Sequence, residues 1–465
     1  MPWRDTLSRN MLRRWSQTNG YRDVLNIGLP LVVSMGSSTV MHFTDRVFLS
    51  NYSLDAIAAA MPAGIASFLF LCFFLGMAGY VNVFIAQYTG AIQPRQAAAS
   101  LWQGIYFSLL ASLILAGLYF LAEPIFAASG HPPEVRRLEV TYFQILTLGS
   151  GFSVLGVALS CFFSGRGRTQ PVMVVNLLGA GLNIPLDYAL INGVWFFPEW
   201  GIAGAGLATV ISWAVVAGLF VWLIFTPENR QKFGLWQERA FNPKLFGRLV
   251  RFGLPGGLQF FLDVLSFSLF IFIVGRLGKA DLAATNIVFT INHLAFLPMV
   301  GFSLGLSTLV GQAMGRGQPA QAQEAAKSCL HVALVYMFMI ALLFVLAPEI
   351  LLALFRPRNL TPAQFAPIVA SGVALLRFVA LYSLFDALGL VYTGALKGAG
   401  DVYFVMWAIG VTSLLLMVLP VYFGILYLGF GLYLSFACVT LYVAVFGLVA
   451  WGRYHRGKWQ TMRVI

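Results

Sequence analysis

The chain has 465 residues, of which 59% are hydrophobic and 10% charged. A soluble domain carries roughly 25% charged residues, so this composition excludes a soluble globular protein. The formal charge of +12 would suit nucleic acid, but its layout along the chain is that of a membrane protein.

The opening is basic, with Arg4, Arg9, Arg13, Arg14 and Arg22 ahead of an apolar run too long for the core of a signal peptide. The first span is therefore expected to be retained, with Arg13-Arg14 as a juxtamembrane cluster rather than a twin-arginine signal. A bilayer span needs about 20 mostly apolar residues. On that measure six spans are predicted in the first half, at 24–50, 57–85, 98–122, 135–163, 171–192 and 201–225. Six more follow at 249–275, 282–311, 327–355, 366–394, 403–424 and 427–451. The longest polar interval lies between the two sets, and its Phe233, Leu235 and Trp236 suit either a connector lying at the membrane interface or a plain solvated loop.

The expected fold is an all-α polytopic membrane protein, with twelve transmembrane helices in two pseudo-symmetric six-helix lobes. Its divisions are a cytoplasmic N-terminal segment (1–23), an N-lobe (24–226), a cytoplasmic connector (227–248), a C-lobe (249–452) and a cytoplasmic tail (453–465). With the N-terminus inside, twenty-one of the 29 Lys and Arg residues fall on inner segments, Lys397 among them, and six on outer loops (Arg136, Arg137, Arg276, Lys279, Arg356 and Arg358). That asymmetry places both termini in the cytoplasm of a plasma, or bacterial inner, membrane.

The halves repeat at a shift of about 225 residues. Gly28-Leu29-Pro30 falls on Gly253-Leu254-Pro255, Gly76 on Gly301, and Gln87, Gly90, Gln93 and Pro94 on Gln312, Gly315, Gln318 and Pro319. An even number of spans per half makes these parallel repeats, an arrangement found in transporters.

Of the 17 acidic residues, four lie deep in apolar helices: Asp45, Asp187, Asp263 and Asp386. Each costs several kcal/mol if ionised in hydrocarbon, which makes it a functional candidate. Asp45 and Asp187 share a depth, Asn183 stands one turn before Asp187, and Pro185 frees a carbonyl between them. With Thr209 of the next helix they form an oxygen-rich cluster suited to Na⁺ or protons, and any metal role is confined to Na⁺ at Asp45, Asn183 and Asp187. Asp263 and Asp386 fall opposite Ser38 and Ser153 in the repeat, so they break the internal symmetry, and Arg377 offers a counter-charge for Asp386. Met35, Met61, Tyr80, Phe84, Tyr142, Phe289 and Phe296 are candidates to line a cleft for flat apolar cations, with His293 and His42 as packed or relay imidazoles.

Cys72, Cys161, Cys329 and Cys438 stand isolated in apolar segments and read as small core residues. Gly301-Phe302-Ser303-Leu304-Gly305 matches the nucleophile-elbow pattern but lies within an apolar helix, where the required strand-turn-helix is absent. No Walker A or H-E-x-x-H sequence is present, so the chain is read as a non-enzyme without cofactor.

Taken together, several motifs resemble the multidrug and toxic compound extrusion (MATE) transporters. They are the paired Gly-Leu-Pro openings, Thr44-Asp45 with Phe48, the loops 87–94 and 312–319, Asn183-Ile184-Pro185-Leu186-Asp187, Gly201-Ile202-Ala203-Gly204-Ala205-Gly206, and Gly394-Ala395-Leu396-Lys397-Gly398 with Gly400-Asp401. The resemblance implies export of drug-like, often cationic compounds in exchange for inward H⁺ or Na⁺ by alternating access of two lobes. It also implies small organic substrates, no nucleic-acid partner, and a monomer in the lipid bilayer. It maps an N-lobe cation site onto Asp45, Asn183, Asp187 and Thr209, and C-lobe acids onto Asp263, where many members have Glu, and Asp386. Ser164-Gly165-Arg166-Gly167-Arg168 departs from the family's usual loop. A lipid-linked oligosaccharide flippase of the same superfamily is the alternative; it would need a cleft rich in Arg and Lys, and only Arg46 and Arg377 lie within spans.

Overall fold

The computed structural model describes residues 14–128, 130–194, 197–356 and 361–465, so Arg4, Arg9, Arg13 and Arg358 lie outside the described residues. Every regular element among the described residues is helical. Twelve helices are long and apolar enough to cross a membrane. In the first half they are α1 (Tyr21–Tyr52), α2 (Leu54–Gly90), α3 (Pro94–Ala127), α4 (Pro133–Ser164), α5 (Gln170–Asn192) and α6 (Ile202–Ile224). In the second they are α7 (Pro243–Leu277), α8 (Lys279–Gly315), α9 (Pro319–Leu346), α10 (Ala363–Ala399), α11 (Val402–Tyr427) and α12 (Leu432–His455).

Local chemistry sets many of the boundaries. Proline opens α3, α4 and α9, where its missing N–H costs nothing. The Ser53 side chain caps α2 by accepting from the Asp55 and Ala56 amides. Thr361 and Gln364 form a capping box ahead of α10, and Gly400 ends that helix in the left-handed region, at φ 109°. The ninth helix differs from its expected bounds of 327–355: it begins at Pro319 and ends at Leu346. Pro348 cannot continue the hydrogen-bond ladder, and Pro348–Ala353 forms a separate short helix.

The chain forms two compact units. Unit I holds the described residues up to Val32 together with Leu262–Met314 and Gln318–Arg463, and unit II holds Val33–Phe261, Gly315–Gly317 and Val464–Ile465. Both α1 and α7 therefore pass from one unit into the other, shortly after Pro30 and Pro255.

Packing within each unit explains why the Gly-Leu-Pro opening recurs. In unit I a Cβ on Gly28 would stand 2.4 Å from the Phe302 ring, and one on Gly301 would stand 2.9 Å from the Val32 amide nitrogen. In unit II a Cβ on Gly76 would stand 2.8 Å from both the Gly256 carbonyl oxygen and the Gly257 Cα. The start of α1 thus lies against α8, and the start of α7 lies against α2, with small residues admitting close backbone approach.

The apolar core of unit I gathers Phe270, Phe344, Val379, Phe436 and Tyr442. That of unit II sets Ala56, Ala59, Ala60 and Ala63 of α2 with Phe126, Tyr142 and Phe143.

The connector is docked on protein through its apolar residues. Phe233 and Leu235 are buried, Trp102 Nε1 donates to the Leu235 carbonyl at 2.7 Å, and Gln103 bonds both Ala240 and Asn242. Of the three residues expected at the interface, Trp236 alone is exposed. Arg166 lies over the rings of Phe162 and Phe233, each at 4.5 Å, so the departing loop of the first half is anchored by cation–π contacts.

In unit I, buried Asp401 accepts a two-pronged pair from Arg453, at 2.7 Å from Nε and 3.2 Å from Nη2. Such charge-assisted forks are geometrically specific. Asp401→Asn is expected to lower stability by about 2 kcal/mol, since Arg453 keeps partial solvent access. Thermal unfolding in detergent would measure it, and an unchanged melting temperature would show the fork to be dispensable.

Candidate functional site

Helix α1 carries Asp45 into unit II, and α5 brings Asn183 and Asp187 on one face, a turn apart. All three are buried, at 3%, 0% and 0% exposure. With its amide nitrogen toward the acids, Asn183 donates to Asp187 Oδ2 at 3.0 Å and to Asp45 Oδ1 at 3.1 Å. The carboxyl groups of Asp45 and Asp187 are thus bridged by one amide and lie within electrostatic reach of each other.

Asp187 Oδ1 and Thr209 Oγ1 are buried without a hydrogen-bond partner among the described residues. Two carboxylates, an amide and orphaned oxygens therefore fit a cation by their donor chemistry. Turned the other way, Asn183 would set its oxygen against carboxylate oxygens, an arrangement that only a hard cation between them would hold.

Tyr142 of α4 is buried at 7% exposure and lies within electrostatic reach of Asp45 and Asp187. Its ring would meet a Cβ on Gly206, one turn before Thr209 on α6, at 3.4 Å. Arg46 is exposed, whereas His42, one turn before Asp45, sets Nδ1 3.8 Å from Asp45 Oδ2.

The other residues expected to line a cleft are distributed between the units. Tyr80 and Phe84 are buried against each other and against Phe252, which stacks on Tyr80 at 6.2 Å. Met35 is half-buried and Met61 exposed. In unit I, Phe289 packs on Phe267, Phe270 and Phe436, Phe296 is half-buried and His293 is exposed.

Unit I assembles its own polar cluster. Tyr442 hydrogen-bonds Asp263, Asp386 interacts with Asp263 and with Tyr382, and Lys397 is the cation electrostatically tied to Asp263. Arg377 does not supply the expected counter-charge to Asp386. It is exposed and forms no ion pair with Asp386 among the described residues. Lys397 comes instead from the C-terminal end of α10, beside the loop motif in which it was expected.

Another buried acid, Glu139, is not picked out by the sequence because it stands only two turns into α4 beside exposed charges. Its signal was the three-residue spacing to Tyr142. Ser303, the centre of the elbow-like pattern, donates to the Leu390 carbonyl at 2.8 Å from within α8, which is a packing role.

A family model described as MatE matches residues 30–189 and 255–423. The probable multidrug resistance protein NorM of Pseudomonas putida is 30% identical, over 91% of this chain and 93% of its own length. The multidrug resistance protein PmpM of Pseudomonas aeruginosa is 30% identical, over 84% and 82% respectively. Among solved structures, a MOP superfamily transporter from Pyrococcus furiosus superposes with a TM-score of 0.86 at 18% identity, covering 97% of this chain and 98% of that one. An outward-facing multidrug resistance MATE family transporter superposes with a TM-score of 0.85 at 18% identity, covering 95% and 97%. At such identity the likeness speaks for the fold.

Proposed function

The chain belongs to the MatE family of multi-pass membrane transporters, and from that premise we propose that it exports drug-like organic cations in exchange for inward protons. The observation that carries the choice of ion is the Asp45–Asn183–Asp187 cluster, in which two buried carboxyl groups face one amide that donates to both.

Without the proton the two acids form a buried double negative that favours a positive ligand in this half of the protein. Protonation from the outer side turns repulsion into a hydrogen bond and removes one charge, so the cationic cargo is released outward. Return and deprotonation inside complete the exchange. Each inward charge contributes about 2.3 kcal/mol per 100 mV of membrane potential. Asp263, Asp386 and Lys397 are assigned to cargo binding in unit I. Both termini face the cytoplasm, and the working form is a monomer in the inner membrane of a bacterium. The flippase alternative is not favoured, since the matched relatives are multidrug resistance proteins.

The test is export of a fluorescent organic cation such as ethidium from energised cells or inside-out vesicles, with the pH and Na⁺ gradients collapsed separately. Export should stop when the pH gradient is collapsed and continue without Na⁺; the reverse would replace the proton by Na⁺ at the same residues. Asp386→Asn is expected to raise the KM for the dye while leaving the pH dependence in place. Absence of dye movement under either gradient would remove the reading altogether.

A further inference from the structure

The cycle above leaves one fully buried carboxylate without a task. Glu139 has 0% exposure, and its Oε1 lies 2.7 Å from His131 Nδ1. Its Oε2 has no hydrogen-bond partner among the described residues. A half-satisfied carboxyl group inside protein is costly, so its retention calls for a reason. His131 is 40% exposed at its side chain and therefore spans from Glu139 to the surface.

On the inward side, Tyr142 follows Glu139 by three residues on the same buried face of α4. Helical side chains lean toward the helix N-terminus, so Tyr142 leans toward the turn that carries Glu139. It is also the residue in electrostatic reach of Asp45 and Asp187. An exposed imidazole, a buried carboxyl with a free oxygen, a buried phenol and an acid pair thus occur in sequence along one helix face.

We propose that His131, Glu139 and Tyr142 form the entry path by which protons reach the Asp45–Asp187 pair from the surface at the N-terminal end of α4. The proposal rests on the reading of that pair as a proton-coupled site. A proton arriving on His131 Nε2 releases the one on Nδ1 to Glu139 Oε1. The neutral carboxyl then rotates to carry that proton toward the phenol oxygen, and the phenol passes its own proton inward as it accepts. Glu139 and Tyr142 are then in their starting states, His131 regains its starting tautomer when its ring turns over at the surface, and the net transfer is one proton.

The other charged groups at this end are accounted for elsewhere. Glu123 of α3, 63% exposed, pairs with Arg136 at 3.6 Å, and Glu134 and Arg137 of α4 are exposed. Across Leu138, Asp55 and Glu199 line a separate cavity of about 440 Å³ in which Tyr52 hydrogen-bonds Glu199. Arg46 of α1 is exposed, and His42, also exposed, sets Nδ1 3.8 Å from Asp45 Oδ2 at the level of the pair itself, so His42→Ala serves as the comparison for a direct route.

The experiment is pH-gradient-driven ethidium export by full-length protein in proteoliposomes, comparing Glu139→Gln, Tyr142→Phe and His131→Ala with wild type. Each variant should lose about tenfold in maximal rate, less than a positioned proton-transfer group usually contributes because water can take over part of the route. The KM for the dye should stay unchanged. Added imidazole should restore His131→Ala, an effect that a purely structural role would not produce, and Glu123→Gln should export at the wild-type rate.

Glu139→Gln running at the wild-type rate would overturn the path while leaving the exchange reading intact. If Glu139→Gln fails to fold, the imidazole arm decides, and absence of rescue overturns the path. A wild type that runs on a Na⁺ gradient alone would overturn both.

Discussion

Asp187→Asn is expected to reduce export about 1000-fold while the protein remains folded and in the membrane. The substituted amide could hold Asp45 with a permanent N–H donor, so the site would behave as though always protonated and could neither take nor release the coupling ion. Losing a positioned proton-transfer group costs about 100- to 10,000-fold in rate, and the expected loss lies in the middle of that range. Asp45→Asn should behave alike, because Asn183 bridges the two acids at nearly equal distances of 3.0 and 3.1 Å. Asn183→Ala should cost less, since both acids survive and lose only their shared donor. Steady-state dye export alongside a melting curve separates loss of exchange from loss of fold. Export by Asp187→Asn at even a tenth of the wild-type rate would move the coupling site elsewhere.

The second large effect concerns stability. Gly315→Ala is expected to destabilise unit II by about 3 kcal/mol, at the upper end for overpacking. The added Cβ would stand 2.0 Å from the Gln87 carbonyl oxygen, and that neighbour is backbone rather than the end of a flexible side chain. The contact joins the C-terminal ends of α2 and α8, so relief requires moving a helix. Gly218→Ala in α6 is the control, because its Cβ would meet nothing within 4 Å and alanine is the better helix former by about 1 kcal/mol. A sharp fall in melting temperature for the first and a small rise for the second are the expected pair of results. Equal melting temperatures would show that the C-terminal ends of these helices can separate without cost.

Much of the fold was legible because a bilayer leaves few options: apolar runs of sufficient length must become helices, and prolines mark many of the starts. The α9 boundary was misplaced because Gln321, Gln323 and Glu324 look like loop, although a helix emerging from a membrane readily carries polar residues in its first turns. The Asp45, Asn183 and Asp187 grouping was readable because acids in apolar runs are rare and the i, i+4 spacing fixes a common face. Lys397 was hidden by its proximity to a glycine-rich loop, and Glu139 by its proximity to Arg136 and Arg137, since linear hydropathy cannot tell which side of a helix end faces inward. The two-unit composition was also beyond hydropathy. It depends on which helices Gly28 and Gly253 touch, and a repeat in sequence does not say whether its copies pack on themselves or on each other.

That last point bears on ancestry. Each unit is completed by a helix start that the other half of the chain encodes: α1 up to Val32 in one case, and α7 up to Phe261 in the other. Two separate six-helix chains could build the same units only by trading those starts, which is the topology of a domain-swapped dimer. Neither half of the chain taken alone contains all the residues of one unit.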